Sequence, residues 1–68
     1  MRDRREKTGF YARDGRAIRD GDRVRAIYFE QIITGVVVQE FDSGEWYVEC
    51  SGGLAPSMWS LDEVEVLK

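Results

Sequence analysis

A chain of 68 residues, 43% of them hydrophobic, is long enough for one small domain with a compact core and too short for two. The sequence contains no histidine and a single cysteine, Cys50, which excludes an intramolecular disulfide and the usual zinc and iron sites, so we expect no cofactor. The net charge of −3 is unevenly spread, because residues 1–25 hold nine Lys or Arg and five Asp or Glu (+4), whereas residues 26–68 hold one and eight (−7).

The sequence also lacks a membrane or export signal. No apolar run approaches the roughly twenty residues that a membrane-spanning helix requires. The first residues, MRDRREK, lack the apolar stretch of a secretory signal. We therefore expect a soluble, cytoplasmic protein that does not associate with a membrane. The lone Cys50 is then expected to be a small hydrophobic side chain that ends a strand, rather than a nucleophile.

The N-terminal third is dominated by turns. Residues 1–8 show no periodicity and predict a flexible tail, followed by a single small β-barrel domain over residues 9–68. The segment GFYARDGRAI predicts a short hairpin, since Asp14-Gly15 is a strong turn signal between two apolar patches. A second tight turn is predicted in RDGD, where Gly21 tolerates a positive φ.

Two longer strands follow. In RVRAIYF, Val24, Ala26 and Tyr28 fall on one face, and Arg23 and Arg25 fall on the other. The pair EQ at 30–31 predicts a turn or bulge before the β-branched segment IITGVVVQEF at 32–41. The glycine at position 35 within that segment indicates a bulge or a sharp bend.

The C-terminal part predicts one hairpin strand, a loop, a helical turn and a final strand. The turn DSG leads into EWYVEC, which places Trp46, Val48 and Cys50 on one face and Tyr47 on the other. The segment SGGLAPS has the composition of a loop. Its successor SLDE, at 60–63, matches a capping box and predicts one short 3₁₀ turn before the last strand, VEVLK.

Together these elements predict an all-β fold: a small SH3-like barrel of about five antiparallel strands, with one short 3₁₀ turn before the last strand. A five-stranded OB barrel is the second choice, because that fold usually carries a longer helix between its third and fourth strands. The glycines are expected to form turns rather than a phosphate-binding loop, since no P-loop pattern is present.

One stretch of the chain resembles a known family. The segment TGFYARDGRAIRDGDRVRA is similar to the opening signature of the YopX-like proteins of phages and prophages. The matching residues are Thr8, Gly9, Phe10, Asp14, Gly15, Ile18, Gly21, Asp22 and Val24. Two later segments, GVVVQEFDSGEWYV and SLDEVEVL, resemble the following parts of that family. The resemblance implies a small β-rich domain of phage origin, and it brings no catalytic or ligand-binding residues.

The sequence does not favour an enzyme. The carboxylate groups closest in sequence are Asp20 with Asp22, and Asp62 with Glu63 and Glu65. Aspartates such as the first pair commonly cap backbone amides in a tight turn, and the second group falls in a capping box and on an exposed strand position. We therefore predict no catalytic residues, and no small-molecule substrate.

The preferred prediction is a non-enzymatic interaction module that binds a protein partner or associates with itself. Tyr47 and Trp59, with Tyr28 or Phe29 beside them, are expected to border a groove for a peptide bearing Arg or Pro, next to the loop SGGLAPSMW. Self-association would involve an edge strand, either VEVLK or IITGVVV. Trp46 is expected in the core, whereas Trp59 fits a core position and a surface position equally well.

The alternative is a module that binds single-stranded nucleic acid through the first hairpin and the first long strand. Tyr11 would stack on a base, and Arg23 and Arg25 would hold phosphates. Further candidates are Phe10, Arg13, Arg16 and Arg19. The negative net charge ranks this alternative second, because it would repel a polyanion from most directions.

Overall fold

In the computed structural model, which describes residues 5–67, the chain forms an antiparallel all-β fold. The strands are β1 (Lys7–Tyr11), β2 (Ala17–Arg19), β3 (Arg23–Tyr28), β4 (Gln31–Gln39), β5 (Trp46–Cys50) and β6 (Asp62–Leu67), with a 3₁₀ helix at Met58–Ser60. Strands β1 and β2 form a hairpin, and the other four form a sheet in the order β5-β4-β3-β6. The predicted fold class, with a 3₁₀ turn before the last strand, is confirmed. The hydrogen bonds between the strands do not close the sheets into a complete barrel, but the arrangement is compatible with an SH3-like barrel.

The hairpin covers the inner face of the four-stranded sheet. Ile18 on β2 is fully buried against the alternating inner residues of β3, β4 and β5. Backbone hydrogen bonds join the layers, among them those from Arg13 N to Val64 O and from Gly21 N to Val37 O, each 2.8 Å long. The core consists of Ala12, Ile18, Val24, Ala26, Ile33, Val37, Trp46, Val48, Met58 and Val64. The predicted alternation of β3 and the core position of Trp46 are therefore confirmed.

The domain begins earlier than the sequence predicts. Lys7 and Thr8, which were assigned to a flexible tail, lie in β1. Thr8 Oγ1 donates a hydrogen bond of 2.9 Å to Ile18 O, which ties the start of the hairpin to its second strand. The tail boundary at residue 8 is thus wrong. Arg5 and Glu6 are also bonded to the residues after β2, through the Asp22 carboxylate and the Asp20 N–H, and residues 1–4 of the predicted tail lie outside the described residues.

Two predicted turns are shifted. The 3₁₀ helix begins after Ser57 rather than at Ser60, because Ser57 Oγ accepts a hydrogen bond from Trp59 N and caps the turn. Asp62 and Glu63, expected in that turn, belong to β6. The turn expected at 30–31 uses positions 29–30 instead, since Gln31 already pairs with Tyr28 at the start of β4.

Asp22 joins the hairpin to the sheet. Its side chain is buried, its Oδ2 accepts a hydrogen bond of 2.8 Å from Arg19 N, and its Oδ1 lies 2.6 Å from Arg5 Nη1. Its backbone oxygen also accepts a hydrogen bond from Val37 N of β4. A buried carboxylate is costly unless it is paired and hydrogen-bonded, and here both conditions are met.

Gly35 allows β4 and β5 to approach closely. The register continues through Gly35, which pairs with Val24 on one side and Cys50 on the other, so the predicted bulge is absent. A Cβ at position 35 would lie 2.5 Å from Glu49 O and 2.6 Å from Val48 Cγ1. Only glycine fits this position without displacing β5.

We predict that Gly35→Ala destabilises the protein by about 1–3 kcal/mol, the usual cost of forcing an extra group into packed structure. Urea unfolding followed by tryptophan fluorescence measures the change. The exposed neighbour Thr34→Ala is the control, and we expect a loss below about 1 kcal/mol there. Equal losses in the two variants would contradict the close-approach explanation.

We also predict that Asp22→Ala destabilises the fold by about 1–3 kcal/mol, because the Arg19 N–H loses its acceptor. Asp22→Asn keeps an acceptor oxygen at the same position, so it is expected to lose less. Urea unfolding of both variants provides the test. A loss in Asp22→Asn as large as in Asp22→Ala would mean that the Arg5 ion pair, and not the hydrogen bond, stabilises the turn.

Candidate functional site

A groove lies along the outer edge of β5. The backbone of residues 54–57 forms one wall, because Val48 N donates to Pro56 O (3.0 Å) and Cys50 N donates to Leu54 O (2.9 Å). The β4–β5 turn forms the other end. This Tyr47 groove has a volume of about 460 Å³ and is lined by Glu40, Glu45, Trp46, Tyr47, Ala55 and Ser57. The predicted association of Tyr47 with the loop around residue 55 is therefore present in the structure.

Two glutamates at opposite positions of the β4–β5 turn line the Tyr47 groove, together with Ser43, whose Oγ donates a hydrogen bond of 2.6 Å to Glu40 Oε1. Glu40 N donates a hydrogen bond of 2.8 Å to Glu45 O, one step beyond the last ladder pair of Gln39 and Trp46. Like charges directly opposite each other across two strands repel. No Lys or Arg occurs between positions 26 and 67, and within residues 5–67 neither glutamate forms an ion pair. The groove is consequently an acidic site next to an aromatic ring.

Trp59 lies on the surface, which decides between the two positions that the sequence allowed. Its side chain is 77% exposed, and its ring contacts Phe10 edge-to-face at a centroid distance of 4.9 Å. The neighbouring Met58 is buried instead and fills the core beneath the 3₁₀ helix. Trp59 does not line the Tyr47 groove, so the predicted aromatic partner-binding residues are not gathered on one surface.

Phe29 forms a separate exposed feature at the tip of the β3–β4 hairpin. Its side chain is 80% exposed, and its ring contacts Tyr28 edge-to-face at 4.6 Å. Both turn residues are left-handed, with φ of 47° at Phe29 and 65° at Glu30. Beside the tip, Ile32 is 74% exposed. Sequence analysis missed Ile32, although alternation with the buried Ile33 places it on the outer face.

The basic residues are distributed differently from the nucleic-acid prediction. Arg23 and Arg25 do share the exposed outer face of β3, as period two requires. Arg25 Nη2, however, lies 2.7 Å from Glu65 Oε1, and Arg13 Nη1 lies 3.7 Å from Glu63 Oε1. The hydrogen bond and the charge of Arg25 hold the pKa of Glu65 below its ordinary value. Tyr11 is exposed on β1, in a different sheet from these arginines.

The carboxylates considered for catalysis are dispersed or structurally engaged. Asp22 is bonded to the turn backbone, Glu63 and Glu65 are paired with arginines, and Asp20 is exposed. Within residues 5–67, no three Cys, Asp or Glu side chains form a cluster that fits a metal ion. None of these groups lines the Tyr47 groove.

The chain matches no family model, and no curated protein or solved structure matches it significantly. The similarity to the YopX-like proteins therefore remains a prediction from the motif residues. Over the described part of the chain, no helix has the length and apolar character needed to cross a membrane.

The reactivity of Cys50 tests the prediction that this residue is not a nucleophile. Its side chain is half-buried at the end of β5, and burial raises the pKa of the thiol. A raised pKa leaves less thiolate at pH 8, and the thiolate is the reactive form. We predict that Cys50 reacts with a disulfide reagent several times more slowly in the folded protein than in urea. Faster reaction in the folded protein would indicate an activated cysteine.

Proposed function

We propose that this protein is a non-enzymatic binding module for a protein partner, and that the partner docks in the Tyr47 groove. The observation that supports the proposal is the combination of a half-buried tyrosine with two opposed glutamates that form no ion pair within residues 5–67. The groove volume of about 460 Å³ falls within the range of about 300–1,000 Å³ that is typical of ligand sites.

The chemistry of the Tyr47 groove favours an extended segment that carries an arginine. A guanidinium group stacks on an aromatic ring and donates paired hydrogen bonds to a carboxylate. Placing it between Glu40 and Glu45 would also relieve their mutual repulsion. A lysine would supply the charge without the planar stacking, so arginine is the preferred residue.

Nucleic-acid binding is the second candidate. It is supported by the exposed Arg23 and Tyr11. The ion pair between Arg25 and Glu65 counts against it, because that arginine already has an anionic partner. Phosphate binding would have to displace Glu65, in a protein with a net charge of −3.

We also propose a cytoplasmic setting and a phage or prophage origin. The cytoplasmic setting is supported by the unpaired Cys50, which is typical of a reducing compartment. The phage origin rests on the similarity of residues 8–26 to the YopX-like signature alone. Neither of these two proposals affects the argument about the groove.

An amide-resolved NMR titration tests the proposed function. The probe is an unstructured peptide with one arginine next to a proline, and its control is the same peptide with neutral citrulline in place of arginine. We expect salt-sensitive shifts at residues 40, 45–47, 55 and 57 with the arginine peptide. The double variant Glu40→Gln/Glu45→Gln should bind roughly tenfold more weakly, because two exposed charge contacts are lost.

The matched variant is Glu49→Gln, which changes an exposed glutamate on the same strand outside the groove lining and should retain binding. No shifts at the groove with either peptide would contradict the proposal. In a parallel titration with a mixed single-stranded oligonucleotide, shifts at residues 11 and 23–25 that disappear in Arg23→Glu/Arg25→Glu would favour the second candidate instead.

A further inference from the structure

The tip of the β3–β4 hairpin is strained. A two-residue turn with positive φ at both positions is normally occupied by Asn-Gly or Asp-Gly, because other side chains crowd the backbone there. Here the two positions are Phe29 and Glu30, with φ of 47° and 65°. Holding two such residues in the left-handed region costs on the order of 1–3 kcal/mol each. A sequence under selection for stability alone would not use these residues at the tip.

This strain presents an aromatic ring to solvent in a defined orientation. Phe29 is 80% exposed, and its edge-to-face contact with Tyr28 holds the ring. Tyr28 in turn packs against the core. A large side chain that is exposed and already ordered loses little conformational entropy when it binds. Backbone strain that exposes such a ring indicates that the ring binds another molecule.

A groove large enough for one aromatic ring lies between this hairpin and β6. This Ile27 groove has a volume of about 230 Å³ and is lined by Arg13, Arg25, Ile27, Ile32, Glu63 and Glu65. An apolar cavity of roughly 150 Å³ is sufficient to bind benzene. Ile27 and Ile32 are cross-strand partners and form the apolar part of this groove. They lie two and three residues from Phe29 along the chain. Phe29 itself does not line the groove.

The charges that line the Ile27 groove balance each other. Arg13 and Arg25 line the Ile27 groove, and Glu30 lies beside Phe29 at the protruding tip. The groove contains as many arginines as glutamates, so it is locally neutral, whereas the protein as a whole carries −3. Two copies of an acidic protein repel each other least where the surface is neutral.

We propose that the protein forms a two-fold symmetric dimer in which Phe29 of each copy inserts into the Ile27 groove of the other. A protrusion and a recess on one surface are self-complementary under a two-fold axis, which is the commonest symmetry of soluble dimers. Insertion places the Phe29 ring of one copy against Ile27 and Ile32 of the other, beside arginines that stay paired with Glu63 and Glu65. The Tyr47 groove lies at the opposite sheet edge and stays free, so this dimer is independent of partner binding.

Sedimentation velocity over a range from about 10 µM to about 1 mM tests the dimer. We expect the native protein to shift from monomer to dimer within this range. Phe29→Ala should weaken dimerisation by at least about thirtyfold, the fold-change that corresponds to a central aromatic contact of about 2 kcal/mol. The control is Phe41→Ala in the β4–β5 turn. It removes a ring at a residue that is 98% exposed, and the variant should dimerise like the native protein.

A second variant separates recognition from folding. Phe29→Asn/Glu30→Gly installs the residues that this turn prefers, so the variant should unfold at a higher urea concentration than the native protein and remain monomeric. Higher stability together with lost dimerisation supports the proposal. A native protein that stays monomeric at about 1 mM, or equal dimerisation of Phe29→Ala and the native protein, overturns it.

Discussion

The carboxylate of Asp22 is the interaction on which the rest of this structure depends. It is a buried acidic side chain whose oxygens bind the Arg19 backbone and the Arg5 guanidinium, while its own backbone bonds to β4. Through these contacts the β1–β2 hairpin is placed over the inner face of the sheet, where Ile18 is fully buried. Such a small domain has little apolar surface to bury, so the position of that cover decides whether a core exists at all.

The close approach of β4 and β5 at Gly35 is the second constraint on the structure. The contact of Gly35 with Val48 and Glu49 brings β5 close to β4 on the inner face. The outer edge of β5 is then taken by residues 54–57, which hydrogen-bond to it and form a wall of the Tyr47 groove. An exposed sheet edge can pair with strands of other molecules and cause aggregation. Residues 54–57 cover the outer edge of β5 and so limit such pairing, while the side chains of the groove stay accessible.

The sequence was a good guide wherever local patterning acts. Alternation placed Val24, Ala26, Trp46 and Val48 in the core, and Asp-Gly marked the first hairpin. It failed where a nonlocal contact decides. Turn rules do not anticipate Phe29 at a left-handed position, and Ser57 rather than Ser60 caps the 3₁₀ helix because Met58 is needed in the core. The Tyr47 groove joins positions 40 and 57, whose proximity follows from sheet packing and not from any motif.

The charge asymmetry of the chain acquires a different meaning once it is folded. In the described part of the basic N-terminal third, Arg13 and Arg25 are paired with Glu63 and Glu65 of β6. Those pairs neutralise the surface around the hairpin tip. The cations are thereby engaged far along the chain from the β4–β5 turn, where Glu40 and Glu45 have no counter-ion within residues 5–67. The two grooves therefore differ in charge. The Ile27 groove is neutral, which favours contact with an identical acidic copy, whereas the Tyr47 groove is acidic and aromatic, which favours a basic partner.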